Sequence, residues 1–321
     1  MSFDGFCKLN RRRVLFFDDF LGTTLDYWSP DNRHGKWKTY YEGLDPFSGH
    51  VQWDGNCWNL NPLDARTLNR SPYSVSNSIL TISAFRTPAD IADAITAENG
   101  GTPVPWCGGA LIQNVETGQP AFRVGSYFEA RVRAVETGKG MHPAFWVNAP
   151  NNCLISKGGA EVDIDERFAT NQGSKQTVWA VDIGRKGHAY DVGSVGSSPA
   201  ISSDPTPNPA QIDLSQYHVF GFDWQEKWLR FYLDDQPISH LAIADNNAGF
   251  AGRPADGFDA AGWFAEDAEL ALKCSYSMDP SFLVGMGLGS DTTTPSLLTY
   301  QVDWVKVWDC APGVERQTHS W

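Results

Sequence analysis

Short runs of apolar or alternating residues recur along this chain, each closed by Gly, Pro, Asn or Asp. This punctuation restricts the fold more than any other feature. The runs cover 14–20, 79–84, 109–114, 125–135, 144–147, 161–164, 177–183, 218–224, 229–233, 283–288 and 300–308, and they are rich in Val, Ile, Phe, Tyr and Trp. Many short β-branched and aromatic segments between turn residues read as an all-β sandwich or barrel. Only 88–99 carries a helical pattern, and it reads as a loop decoration. Three turn-rich stretches, 31–71, 193–213 and 245–278, are long for a compact domain, and loops of that length usually serve function. There is no internal repeat, and the Pro-rich 204–209 is a loop and not a linker. The expectation is a single domain over residues 1–321, with a core at roughly 14–310 and long decorating loops.

One run departs from the pattern of its neighbours. Residues 161–166 read Glu-Val-Asp-Ile-Asp-Glu. In a regular strand Glu161, Asp163 and Asp165 share one face, and Val162 and Ile164 point to a core. Like charges side by side on a strand repel, so the cluster is costly unless water or function offsets it. Two carboxylates about 5–5.5 Å apart are the equipment of a retaining glycosidase. Glu161 and Glu166 are five apart and face opposite ways unless one extra residue intervenes. A β-bulge near Asp165 restores the parity and brings Glu166 beside Glu161 and Asp163. In that arrangement one carboxylate attacks the anomeric carbon and the other, protonated, assists the leaving oxygen. Asp163 between them shares a proton with the nucleophile and keeps the second carboxyl protonated by like-charge repulsion. A regular strand with Asp165 in place of Glu166, and an inert solvated acidic edge, are the competing readings.

Composition narrows the partners. Net charge is −13, which argues against nucleic acid and anionic membranes. No segment is long and apolar enough to span a bilayer as a helix. Arg11-Arg12-Arg13 before Val14-Leu15-Phe16-Phe17 has the outline of a leader, but Asp18-Asp19 ends it at once, so it reads as a first strand. The six cysteines are scattered without a C-x-x-C, which disfavours a zinc site. Disulfides and free buried thiols both stay open. Of the 13 Trp, Trp37, Trp53, Trp58 and Trp106 fall in the long loops, where they either stack on sugars or anchor the loops. In 125–133, Phe128, Ala130 and Val132 alternate with Tyr127, Glu129, Arg131 and Arg133. Such a sheet has one open face, either solvated or sugar-binding.

Taken in order, the segments resemble glycoside hydrolase family 16, the laminarinase, agarase and carrageenase group. Phe17-Asp18-Asp19-Phe20 is similar to its opening strand. Val75-Ser76-Asn77-Ser78-Ile79-Leu80-Thr81-Ile82 resembles V-x-N-G-x-L-x-I, with Ser78 where Gly is usual. Gly125-Ser126-Tyr127-Phe128-Glu129-Ala130-Arg131-Val132 resembles Y-G-x-F-E-A-R-I. Gly140-Met141-His142-Pro143-Ala144-Phe145-Trp146 resembles G-x-W-P-A-F-W, with His142 in place of Trp. The stretches 218–224 and 229–234 resemble F-H-x-Y-x-x-x-W and I-x-F-Y-V-D, and 301–308 resembles the closing V-D-Y-V-R-V-Y.

The resemblance implies a concanavalin A-like β-jelly-roll sandwich with a cleft across a concave sheet. It implies Glu161 as nucleophile, Asp163 as assistant and Glu166 as acid/base, in the bulged E-x-D-x-x-E branch. It implies Trp146 in the cleft floor and Arg131 on its lining. Trp106 and Trp179 are further candidates for substrate contact. Catalysis would need no cofactor, though a structural calcium at Asp303 is implied; a surface ion pair is the competing role for that residue. The bulged branch usually carries a His on the strand after the catalytic one. Here 177–184 has none, so Trp179 or Asp182 takes that place, with His188 just beyond. The expected activity is endo-acting, retaining hydrolysis of a β-glycan, either a β-1,3-glucan-like polymer or a bacterial exopolysaccharide. Transglycosylation and non-catalytic sugar binding are the alternatives. The expected setting is a monomer acting outside the cell, exported by a route without a visible signal peptide, or virion-borne as a phage depolymerase.

Overall fold

A computed structural model gives the structure of the protein. It describes residues 11–41, 44–52, 55–114, 122, 125–136, 140–148, 159–167, 174–181, 188–195, 213, 215–225, 228–242, 279–286, 290 and 292–310. For 11–12, 148, 159–161, 174–181, 188–195, 228, 239–242 and 279–286 the description is of backbone alone.

The chain folds as an antiparallel β-sandwich of jelly-roll type. The first sheet contains β1 (Arg11–Asp18), β5 (Tyr73–Ser76), β6 (Ile79–Arg86), β8 (Ser126–Ala134), β13 (His218–Trp224), β14 (Trp228–Leu233), β15 (Gln236–Ala242) and the long β17 (Leu297–Cys310). Its centre is β17 beside β8, which in turn pairs β13. The other edge of β17 meets β6 along its first half and β1 along its second. The second sheet runs β2 (Trp37–Lys38), β7 (Trp106–Gln113), β16 (Asp279–Met286), β9 (Met141–Asn148), β10 (Gly159–Arg167), β11 (Ser174–Val181) and β12 (His188–Val195). β7 joins the two sheets. Its start pairs β4 (Cys57–Asn59), which forms a hairpin with β3 (His50–Val51), and β6, whereas its end pairs β16.

The core is what the alternation dictates. Phe128, Ala130, Val132, Phe220, Phe222, Tyr300, Val302, Val305 and Val307 of the first sheet meet Leu111, Phe145, Val147, Val162 and Ile164 of the second. Every side chain named there is buried. At roughly 1.5–3 kcal/mol for each large apolar side chain removed from water, this interface dominates the stability.

The helical pattern over 88–99 is borne out as α1 (Ala89–Glu98), which buries Ile91 and Ile95. Other expectations shift. The stretch 31–71 is not a bare loop: it contains β2, β3, β4 and a 3-10 turn at Ala65–Thr67, capped by the Asp64 side chain. Trp37, Trp58 and Trp106 are all buried, so they anchor this region, and Trp53 lies outside the described residues. Six strands escaped the sequence pattern: β2, β3 and β4 within 31–71, and β5, β12 and β15. Among the described residues no helix is long and apolar enough to cross a membrane.

The β5–β6 hairpin turns on Asn77 (φ 53°) and Ser78 (φ 60°), with Ser76 opposite Ile79. Two consecutive left-handed residues make the turn whose twist matches the strands, and the second is ordinarily Gly. Ser78 retains a Cβ penalty there. Ser78→Gly is expected to raise stability by about 1 kcal/mol, read as a higher urea midpoint at unchanged slope.

Candidate active site

The strand β10 fixes the site. Against β9, Glu161 lies opposite Asn148, Asp163 opposite Trp146, Asp165 opposite Phe145 and Glu166 opposite Ala144. Ile164 and Asp165 thus stand together against one residue of the neighbour. The pairing with β11 slips at the same place, between Asp163 and Glu166. This is the expected β-bulge. Positions 144, 146 and 148 alternate onto one face of β9, so Glu161, Asp163 and Glu166 share a face of β10 as register positions. Asp163 is buried, and the Glu166 side chain is 13% exposed.

The bulge turns Asp165 into the sandwich, where it is fully buried. The Arg167 Nε lies 2.9 and 3.0 Å from its two carboxylate oxygens, and a terminal Arg167 nitrogen lies 2.8 Å from Oδ2. The Tyr300 hydroxyl of β17 donates to Oδ2 at 2.7 Å. Burial alone would lower the Arg167 pKa, but the Asp165 charge outweighs it and raises it. Burial and then the same carboxylate push the Tyr300 phenol far above its ordinary value. The Arg167 guanidinium also lies 5.6 Å from the Phe220 ring centroid and 5.5 Å from that of Tyr300. Asp165 is therefore a structural counter-ion. The reading that made it the acid in a regular strand is overturned.

On the carboxylate face, Trp146 packs with Ala144 and Ala110 and is flanked by Tyr41 and Ile112. Its ring lies 6.3 Å from Tyr41, whose ring meets His50 edge-on at 4.9 Å. The Trp146 indole nitrogen is buried without a hydrogen-bond partner among the described residues. His142 shares the parity of Ala144 and Trp146. It is buried, and its Nε2 lies 3.1 Å from Glu166 Oε1. Sequence reasoning had registered His142 only as a departure from a motif. Its even spacing from Trp146 was the signal that put it on the carboxylate face. Gly140 (φ +81°) turns the chain into this strand.

Other candidates separate from the site. Arg131 is on β8, whose Phe128, Ala130 and Val132 face the core. It therefore points away from the sandwich on the sheet opposite β10, paired with Asp303 and 4.5 Å from the Tyr217 ring centroid. It does not line the carboxylate face; alternation alone never told which sheet it belonged to. Trp106 opens β7 fully buried, with the Arg86 guanidinium 4.3 Å from its ring and its indole nitrogen donating to Ser290 at 3.3 Å. No sugar can stack there. Trp179 stands opposite Glu161 in the register of β11, its side chain outside the description. Asp182 lies outside the described residues, and His188 on β12 pairs with Ala180, the residue after Trp179. Asp303 gives its carboxylate to Arg131, and no three His, Cys, Asp or Glu side chains converge among the described residues. The described surroundings of Asp303 do not fit a calcium ion. Cys57 and Cys107 are buried, and burial lifts the free Cys107 thiol to about 11; Cys310 is disulfide-bonded.

The chain matches the family model for glycosyl hydrolases family 16 over residues 115–272. It is 26% identical over 242 residues to the endo-1,3-1,4-beta-glycanase ExsH of Rhizobium meliloti (strain 1021), covering 71% of this chain and 44% of that protein. The chain thus spans less than half the length of that relative. The endo-beta-1,3-glucanase from Pyrococcus furiosus superposes with a TM-score of 0.60 at 18% identity, over 95% of this chain and 97% of the other. An immunostimulatory antigen and pseudo beta-1,3-glucanase of Mycobacterium tuberculosis superposes with a TM-score of 0.55 at 18% identity, over 93% and 99%.

Two outcomes follow from the buried groups. Asp165→Asn leaves Arg167 without a counter-ion and is expected to cost about 3–5 kcal/mol in denaturant unfolding. Glu166→Gln, at the rim of the same bulge, is expected to cost under about 1 kcal/mol. His50 accepts from the Asn59 amide at 2.8 Å, and burial lowers its pKa from 6.5 to about 4. Between those values the unfolded chain binds the proton and the fold does not, so stability falls as pH drops from 6.5 to 4, by up to roughly 3 kcal/mol. In His50→Gln the pH dependence of the urea midpoint should flatten across that window.

Proposed function

We propose that the chain is an endo-acting, retaining β-glycan hydrolase. The observation that carries this reading is the register of β10, in which one bulge sets Glu161, Asp163 and Glu166 on a single face. The Glu161 carboxylate attacks the anomeric carbon as Glu166 gives its proton to the departing glycosidic oxygen. A glycosyl ester of Glu161 results. Water, deprotonated by Glu166, then breaks the ester and restores both carboxyls. Asp163 holds the nucleophile's proton balance between the two steps. Trp146 and the flanking Tyr41 supply an apolar floor for a sugar ring.

The substrate reading is a β-1,3- or mixed β-1,3-1,4-linked glucan, or an exopolysaccharide containing such bonds. It is supported by the name of the curated relative and by the fold of the Pyrococcus furiosus glucanase. Such a polymer is met outside the cell, and the disulfide at Cys310 accords with an oxidising setting. Retention of all three carboxylates favours catalysis over sugar binding alone.

Proton NMR of the first product from a β-linked glucan should show the β-anomer before mutarotation. Initial appearance of the α-anomer would overturn the retaining mechanism. Glu161→Ser should lower kcat by several orders of magnitude while oligosaccharide binding stays measurable by calorimetry. Substantial activity in that variant on the polymer would remove Glu161 from the nucleophile's role.

A further inference from the structure

We propose that His142 is a positioning residue for the acid/base, holding Glu166 by one oxygen so that the other faces the glycosidic bond. The proposal rests on the assignment of Glu166 made above and adds a residue to it. The geometry is specific. His142 precedes by two residues the Ala144 that stands opposite Glu166, so both side chains lie on one face of adjacent strands. The imidazole is 2% exposed, and its Nε2 lies 3.1 Å from Oε1 of a carboxyl that is itself only 13% exposed. Across the other edge of β9 the residue opposite His142 is Gly285.

The chemistry gives this contact a task. A Glu side chain has three rotatable bonds, and an acid/base must present one oxygen along a fixed line in both steps. In the neutral Nε2–H tautomer, His142 donates to Oε1 whether Glu166 is acid or carboxylate. Oε2 alone then carries the transferred proton. It gives that proton to the leaving oxygen in the first step and takes one from water in the second, while His142 keeps its own throughout. Burial excludes water that would otherwise solvate Oε1 and free the carboxyl to rotate. A misplacement of about 1 Å in such a group costs on the order of 100-fold in rate. The Asp165–Arg167–Tyr300 contact holds the bulge beside Glu166; His142 holds the functional end of Glu166.

The test compares His142→Phe, His142→Gln and Glu166→Gln in the full chain. His142→Phe keeps ring volume without a donor, and the Gln amide reaches roughly where Nε2 stands. On a β-1,3-linked glucan, His142→Phe should lower kcat about 10- to 100-fold with KM within about twofold, and His142→Gln should recover most of the loss. On a 2,4-dinitrophenyl β-glucoside oligomer, whose leaving group needs no proton, kcat/KM of His142→Phe should fall less than about threefold. A residue that only supports the fold would lose equally on both substrates, and that result would overturn the proposal. So would a His142→Phe variant with native kcat on the polymer while Glu166→Gln is inactive. Full activity of Glu166→Gln would instead overturn the acid assignment and this proposal with it. Should His142→Phe not fold, nitrogen-15 NMR of labelled histidine decides the matter. The His142 resonance should report an Nε2–H tautomer that changes in Glu166→Gln; an Nδ1–H tautomer in the native protein would refute it.

Discussion

The buried contact among Asp165, Arg167 and Tyr300 is the constraint on which the site depends. A strand bulge is locally unfavourable: it leaves one residue without a ladder partner and bends the chain. Here the bulge at Ile164 and Asp165 turns the Asp165 carboxylate inward, where it is met by a two-pronged guanidinium two positions on and a phenol from the opposite sheet. A carboxylate so far from water is tolerated only when paired and hydrogen-bonded. The pairing therefore selects the bulged register over the regular one, which would place Asp165 outside and Glu166 within. Specificity of register, more than net stability, is the contribution of this ion pair.

Packing around the bulge carries the choice outward. Val162 and Ile164 sit on the same core as Phe145 and Val147, so β10 cannot slip by one residue against β9 without exposing all four. The outer face is fixed by the same alternation, with Trp146 set against Asp163 and Ala144 against Glu166. The small Ala144 leaves room for His142 to reach Glu166 from further along the strand.

Much of this was legible in the sequence, and the reasons are physical. Period-two alternation identified core residues of β8 and β10 because each of those strands buries one face. The odd spacing of Glu161 and Glu166 revealed the bulge because parity in a strand admits no other remedy. What alternation does not encode is which of two sheets a strand joins, and that is why Arg131 was placed on the wrong side of the sandwich. Nor does aromatic content distinguish a platform from an anchor. Trp106 starts a strand beneath Arg86, an arrangement set by tertiary contact between segments that no local pattern records. His142 was visible as a residue but not as a partner, since its contact crosses strands 24 positions apart.

Tyr300 reaches Asp165 across 135 residues of sequence, and β17, which bears it, also pairs with β1, β6 and β8. On a ribosome adding roughly 5–20 residues each second, the phenol is made on the order of ten seconds after the carboxylate it caps. Until then the first sheet lacks its central strand, and the Asp165–Arg167 pair has no cover from that side. The bulged register is thus sealed only once β17 has been made. A protein built this way completes its carboxylate face and its sandwich together.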